Sequence, residues 1–410
     1  MKVKRLITAL AILILFCTGT AQAEPMRKFF EEEWYLQALQ DSVIYKGNNA
    51  RLKKVIERAR NGEEITLAMI GGSITEGFGA SVYRNCWASR FASRFGNTYG
   101  VDGGANVHMV NAGVGGTSSV FGYMRYQRDV VGRVPEADSD GLPDVVIIEY
   151  AVNDQKDPTR LRCYESMVKE ILDAPNEPAV ILLFSVFRNG YNKQEKMIKI
   201  GYSYKLMMVS IKDGIYSHIG KELTADAFFS DDKHPTSLGY QIMTDCLMKA
   251  VADAEQSETD RALTVNRFPV YGTDFVGLKT IFGETETQEY IIERSGFPGW
   301  DSNVFHNKSL GLVCGKNFFH DAKDPMDPLK VTGVFRKCLV AWKVTDDEAF
   351  GTAEILVDGN VIKKLKGKTN TNGKSEAVLI LDDADAAQHT LEIRVTEEGK
   401  KFTITAISLQ

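Results

Sequence analysis

The chain begins with a basic stretch, Lys2, Lys4 and Arg5, followed by an apolar run from Leu6 to Cys17 and the small-residue sequence Thr20-Ala21-Gln22-Ala23. About twelve apolar residues fall short of the ~20 that span a bilayer. The order of basic, apolar and A-x-A segments is that of a secretory signal cleaved near Ala23. Residues 27 to 62 then read as helical: Asn49 to Arg60 sets Leu52, Val55 and Ile56 on one face and Lys and Arg on the other, and Asn61-Gly62 stops it. Short runs that are apolar throughout follow at Ile65–Ile70, His108–Val110, Val145–Ile148 and Ala179–Val186. Helical patterns separate them at Arg84–Phe95, Leu161–Ile171 and Lys196–Asp213, and a last one covers Ser237–Ala254. Uniformly apolar strands alternating with amphipathic helices predict a parallel sheet covered on both faces.

The acidic stretch Asp253 to Asp260 has few large apolar residues and reads as a linker or a frayed helix end. Beyond it the period becomes two. Ala349–Val357 alternates, Asp358-Gly359-Asn360 supplies a turn before Val361-Ile362, and Glu376–Leu381, His389–Val395 and Phe402–Leu409 read as further strands. Turn signals every ~8–12 residues predict a β-sandwich or jelly roll. The expected organisation is a signal peptide at 1–23, an α/β domain at 24–255 and a sandwich at 265–410. A chain of 410 residues suits two domains.

Charge and cysteine content narrow the function classes. With 49 Lys+Arg against 54 Asp+Glu the net charge is −5, which gives no support to nucleic-acid binding. No later stretch has transmembrane length, so stable membrane insertion is not expected. Cys86, Cys163, Cys246, Cys314 and Cys338 follow the signal; their number is odd and none has CxxC spacing. Cys163 and Cys246 fall in helical patterns and read as core residues, while a Cys314–Cys338 bridge stays open.

The chemistry-bearing residues sit just after the predicted strands. In Ile70-Gly71-Gly72-Ser73-Ile74-Thr75-Glu76-Gly77 a serine follows a buried strand among glycines, where a tight turn can expose its hydroxyl. The segment lacks the Gly-Lys-Ser/Thr of a phosphate loop and the glycine order of a dinucleotide fingerprint. Asn111-Ala112-Gly113-Val114-Gly115-Gly116-Thr117 lets the backbone approach a ligand, and Asn153 of Ala151-Val152-Asn153-Asp154 offers an amide. Asp231-Asp232-Lys233-His234-Pro235 precedes the last helix; a serine needs a base, and a histidine base needs a carboxylate to orient it. Taken singly, each segment also reads as an ordinary glycine loop, turn asparagine or capping histidine.

Together, in this order, the four segments resemble the blocks of the SGNH hydrolases, also called GDSL-type esterases and lipases, over about residues 49–250. The resemblance implies a flavodoxin-like three-layer α/β/α domain with Ser73 as nucleophile, His234 as base and Asp231 as its orienting acid. It further implies an oxyanion hole of the Ser73 N–H, the Gly116 N–H and the Asn153 amide, with no cofactor and no metal. Gly72 stands where the family often has Asp, Ala151 stands where it usually has Gly, and Asp232 competes with Asp231 for the orienting role.

Secreted enzymes of this family with a jelly-roll partner resemble carbohydrate esterases that deacetylate plant polysaccharides such as xylan or mannan, so the expected partner is an acetylated polysaccharide or oligosaccharide. Tyr83, Arg84, Trp87, Arg125 and Trp300 are candidate substrate contacts. Tyr290, Phe297 and Phe305 are candidates for a sugar-stacking surface or for packing. Alternatives are a general short-chain esterase, a lysophospholipase, a peptidoglycan esterase, an acyltransferase to sugar, or a non-catalytic carbohydrate-binding protein.

Overall fold

In the computed structural model, residues 29–410 are described except 139, 305, 308–311, 314, 315, 372 and 373; the signal segment, Phe305 and Cys314 lie outside the described residues. The first sheet contains β1 (Val43–Tyr45), β2 (Ile65–Gly71), β3 (Val107–Gly113), β4 (Val145–Glu149), β5 (Ala179–Phe184) and β6 (Met207–Ser210) in the order 1-6-5-4-2-3. All neighbours are parallel except β1, which closes the edge antiparallel to β6. Alternate residues of β2 serve two cores, as a strand period of two requires. Ile65, Leu67 and Met69 face the helices Glu33–Ser42, Ala50–Arg60, Trp87–Tyr99 and Ser237–Gln256, while Ala68 and Ile70 face Ser119–Met124, Arg162–Leu172 and Gln194–Ser203. The expected α/β/α layering is present.

Two elements differ from the sequence reading. The pattern over Lys196–Asp213 suggested one helix, but the helix stops at Ser203 and Met207–Ser210 is a buried strand. The break comes at Lys205, whose φ of +54° no right-handed helix admits. The other is β12 (Leu329–Val344), described below.

The second sheet is antiparallel and separate from the first. It contains β7 (Lys279–Ile281) and β8 (Ile291–Glu293) and, after the ribbon of β9 (His306–Asn307) and β10 (Leu312–Val313), β11 (Phe318–His320) and β12. Then follow β13 (Thr352–Val357), β14 (Asn360–Lys366), β15 (Lys374–Val395) and β16 (Phe402–Leu409). The long strands β12 and β15 pair along their length through register shifts at Phe335/Lys337 and Cys338/Leu339, which let the pair bend. The first part of β12 pairs with β8 and the last part with β16. Val331, Ile355 and Ile393 from one half share a buried cluster with Val340, Trp342 and Ile404 from the other, so the sheet folds over into a sandwich. Tyr290 and Phe297 belong to that cluster, which makes them packing residues. Cys163, Cys246 and Cys338 are buried free thiols; the Cys314–Cys338 pairing falls on a residue outside the described ones.

The sandwich docks on the second face of the α/β layer. Phe275, Phe282, Leu339, Ala341 and Ala406 join the core beneath the helices Ser119–Met124 and Arg162–Leu172. Glu165, fully buried, accepts from the N–H groups of Val270, Tyr271 and Gly272 at 2.6, 2.6 and 3.0 Å and so fastens the connecting segment. Arg162 reaches Asp274 at 2.7 Å and Asp382 at 2.6 Å, and Arg128 stacks over Phe282 at 3.9 Å.

Candidate active site

Three neighbouring strands end level. Gly71 of β2 is in register with Gly113 of β3 and with Glu149 of β4, so the segments after them emerge at one edge of the sheet. That edge is where the chain order reverses, β2 being flanked by β3 and β4, the usual binding crevice of an open parallel sheet. Ser73 opens a one-turn helix, Ser73–Glu76, anchored by buried Ile74 and Thr75. Gly72 leaves room for the Asn153 side chain: a Cβ there would lie 2.4 Å from its amide nitrogen and displace it.

His234 arrives from a loop that folds back on itself. Ser230 N–H donates to the His234 carbonyl at 2.8 Å, and Thr236 caps the following helix through Gly239 N–H at 3.1 Å. The imidazole Nε2 lies 2.8 Å from Ser73 Oγ, and Nδ1 lies 2.8 Å from Asp231 Oδ2. Asp231 Oδ1 accepts from the Lys233 and His234 N–H groups at 2.7 and 2.8 Å. Against a desolvation cost, the bonds from His234 and Lys233 hold the Asp231 carboxyl below the usual carboxylate range. Asp232 contributes only its carbonyl, to Arg188 N–H at 3.1 Å. With Nδ1 turned to the Asp231 carboxylate, Nε2 is the ring nitrogen that faces the serine hydroxyl.

The glycine segment is tied to its neighbours at each side. Asn111 Nδ2 donates to the Thr75 carbonyl at 2.8 Å, Gly115 N–H donates to Glu76 Oε2 at 2.6 Å, and Ser119 N–H donates to Asp154 Oδ1 at 2.8 Å. Gly116, between those last two bonds, has φ +71°. Among the described residues, none accepts from the N–H of Ser73 or Gly116 or from the Asn153 side-chain amide. Unpartnered donors beside a base-coupled hydroxyl can receive a developing negative charge. Ala151, where the resemblance expects Gly, is buried in the core beneath.

The other candidates divide. Arg125 is fully buried: it pairs with Asp129 at 3.2 Å and reaches Tyr150 Oη at 3.2 Å and the Gly71 carbonyl at 3.4 Å. It braces the end of β2 from inside the core rather than from a surface open to substrate, unlike the contact expected. Trp87 is likewise fully buried as the first residue of its helix, in the core with Phe91 and Tyr240, and is no substrate contact. Tyr83 is half-buried with an enclosed hydroxyl, and burial pushes its phenol well up. Arg84 is exposed and, among the described residues, has no ion-pair partner. Trp300 is 46% exposed, but its ring packs on Arg294 at 4.5 Å and on Gly283, both in the sandwich. Sequence reasoning missed Glu76, three residues after the serine, and Phe78, whose exposed ring lies 5.0 Å from that of His234. Among the described residues no cluster of three or more His, Cys, Asp or Glu is placed to hold a metal ion.

Beneath the site lie two buried carboxyls. Burial, with the nearby Asp154 charge adding, pushes Glu149 from 4.5 to about 7 against the hydrogen bonds from Ser185 and Thr75. Burial and the Asp157 charge likewise push Asp154 from 3.8 to about 7. A raised carboxyl holds more protons folded than unfolded between the two values, so its contribution to stability is present at low pH and lost as pH climbs toward 7. Glu149→Gln is therefore expected to reduce the fall in Tm between about pH 5 and about pH 8, leaving the part due to Asp154. Thermal melts across that range check it; an unchanged slope contradicts it.

These features define a carboxylic ester hydrolase. Residues 69–242 match the model of the GDSL-like Lipase/Acylhydrolase family. Over 90% of its length the chain is similar to a two-domain esterase (CEX) active on acetylated mannans, at 22% identity with a TM-score of 0.76, covering 97% of that chain. The same esterase co-crystallized with mannopentaose gives 23% identity and a TM-score of 0.75, with the same coverage. The likeness therefore extends over both domains, and at this identity it is one of fold. No curated protein matches the chain. Among the described residues no helix is long and apolar enough to cross a membrane.

Proposed function

We propose that the protein is a serine esterase that removes O-acetyl groups from carbohydrate, exported by its N-terminal signal and acting through an acyl-enzyme on Ser73. The observation that carries this is the unbroken relay Asp231–His234–Ser73, with both bonds at 2.8 Å, beside three unpartnered N–H donors. His234 takes the Ser73 proton as Oγ adds to the acetyl carbonyl. The oxyanion turns to the Ser73 and Gly116 N–H groups and the Asn153 amide. The imidazolium then protonates the leaving sugar oxygen, and water repeats the sequence on the acetyl-enzyme to release acetate.

An acetylated mannan is the first substrate to try, since the two-domain esterase of the same fold is one active on acetylated mannans. Acetate release from acetylated glucomannan, xylan, pectin and peptidoglycan tests the reading, with Ser73→Ala as control. Release from a plant polysaccharide by wild type alone is expected. Failure to hydrolyse any polymeric, oligomeric or small aryl acetate would sink the proposal. On the orienting acid, Asp231→Ala should lower kcat at least about a hundredfold while Asp232→Ala stays within about twofold; the reverse ranking would assign the role to Asp232.

A further inference from the structure

An isolated exposed aromatic is ordinary on a protein surface. Phe78 differs because it is 61% exposed and yet held in place. Its N–H donates to the Ser73 carbonyl at 3.0 Å, and its own carbonyl accepts from Tyr240 Oη at 2.5 Å. The next residue, Gly79, has φ +90°, and a Cβ there would stand 2.5 Å from the Pro235 carbonyl and 3.1 Å from His234 Cβ. The loop is thus pressed against the histidine segment, and the Phe78 ring lies 5.0 Å from the imidazole at a 48° tilt.

The direction of the chemistry says what belongs there. When the Ser73 Oγ–carbon bond has formed and the ester C–O bond breaks, the proton on His234 Nε2 must pass to the departing alcohol oxygen. The alcohol part of the ester therefore sits on the imidazole side, away from the oxyanion donors. We infer that Phe78 is the platform on which the sugar ring bearing the acetyl group rests, its apolar C–H face against the phenyl ring. This deepens the carbohydrate-esterase reading and rests on it. A pyranose offers such a face, and a rigid aromatic supplies contact area at little entropic cost.

The test compares wild type, Phe78→Ala and Phe78→Trp on an acetylated mannooligosaccharide and on methyl acetate, whose leaving group has no ring. Phe78→Ala is expected to raise KM for the oligosaccharide about tenfold, with kcat, its pH profile and methyl acetate hydrolysis unchanged; Phe78→Trp should retain the wild-type KM. Equal losses on both esters would make the ring a support for His234 and overturn the inference, as would unchanged KM in Phe78→Ala. Either result leaves the carbohydrate reading standing. A wild type active on methyl acetate but inert on every acetylated sugar would remove that reading, and this one with it.

Discussion

Ser73→Ala is expected to lower kcat by about ten-thousandfold or more while leaving the fold intact. The hydroxyl is the one atom lost, and its hydrogen bond is to His234 Nε2 at 2.8 Å. The turn that presents it depends on other groups: buried Ile74 and Thr75, the Asn111 bond to the Thr75 carbonyl, and the Arg125 contact with the Gly71 carbonyl. None involves Oγ. His234→Ala should match the loss, and the double variant should be no worse, because residues acting as one unit are strongly non-additive. Acetate release with a thermal melt on each variant checks this. A Ser73→Ala protein with more than about one per cent of wild-type activity would be incompatible with an acyl-enzyme on this residue.

Asn153→Ala is expected to lower kcat about a hundredfold to a thousandfold, with little change in KM or Tm. The amide lies against Gly72 and donates to no group among the described residues, so its removal leaves no buried acceptor unpaired. A donor whose partner exists only while the carbonyl oxygen carries charge contributes to the transition state and little to the ground state. An asparagine kept for structure behaves oppositely: Tm falls and kcat holds. Steady-state kinetics and a melt on the same preparation separate the two.

Much of the α/β layer was legible because its strands are apolar throughout and its site segments are local. The four site segments each fit within about ten residues, and the sheet only had to bring their ends level. What could not be read was set by tertiary context. The second half of β12 is buried on both faces, Val340 and Trp342 toward the sandwich core and Leu339 and Ala341 toward the α/β domain, so no alternation marks it. Met207–Ser210 is too short for periodicity to tell strand from helix. Arg125 read as a substrate contact although Asp129, four residues on, was the visible sign of an internal pair. Trp87 opens a helix whose apolar face covers the sheet, so its place beside the nucleophile segment in sequence misled. Phe78 carried no pattern at all; the folded-back histidine loop is what brings the His234 ring against it.

Covalent catalysis by Ser73 is tested by mass spectrometry of the protein after reaction with an organophosphonate ester, which phosphonylates an activated serine and cannot be turned over as an acetate is. One adduct is expected, located at Ser73 in the tryptic peptide 61–84, absent from Ser73→Ala and formed far more slowly in His234→Ala. An adduct on a different residue, or full esterase activity in a protein that takes up no label, would contradict it.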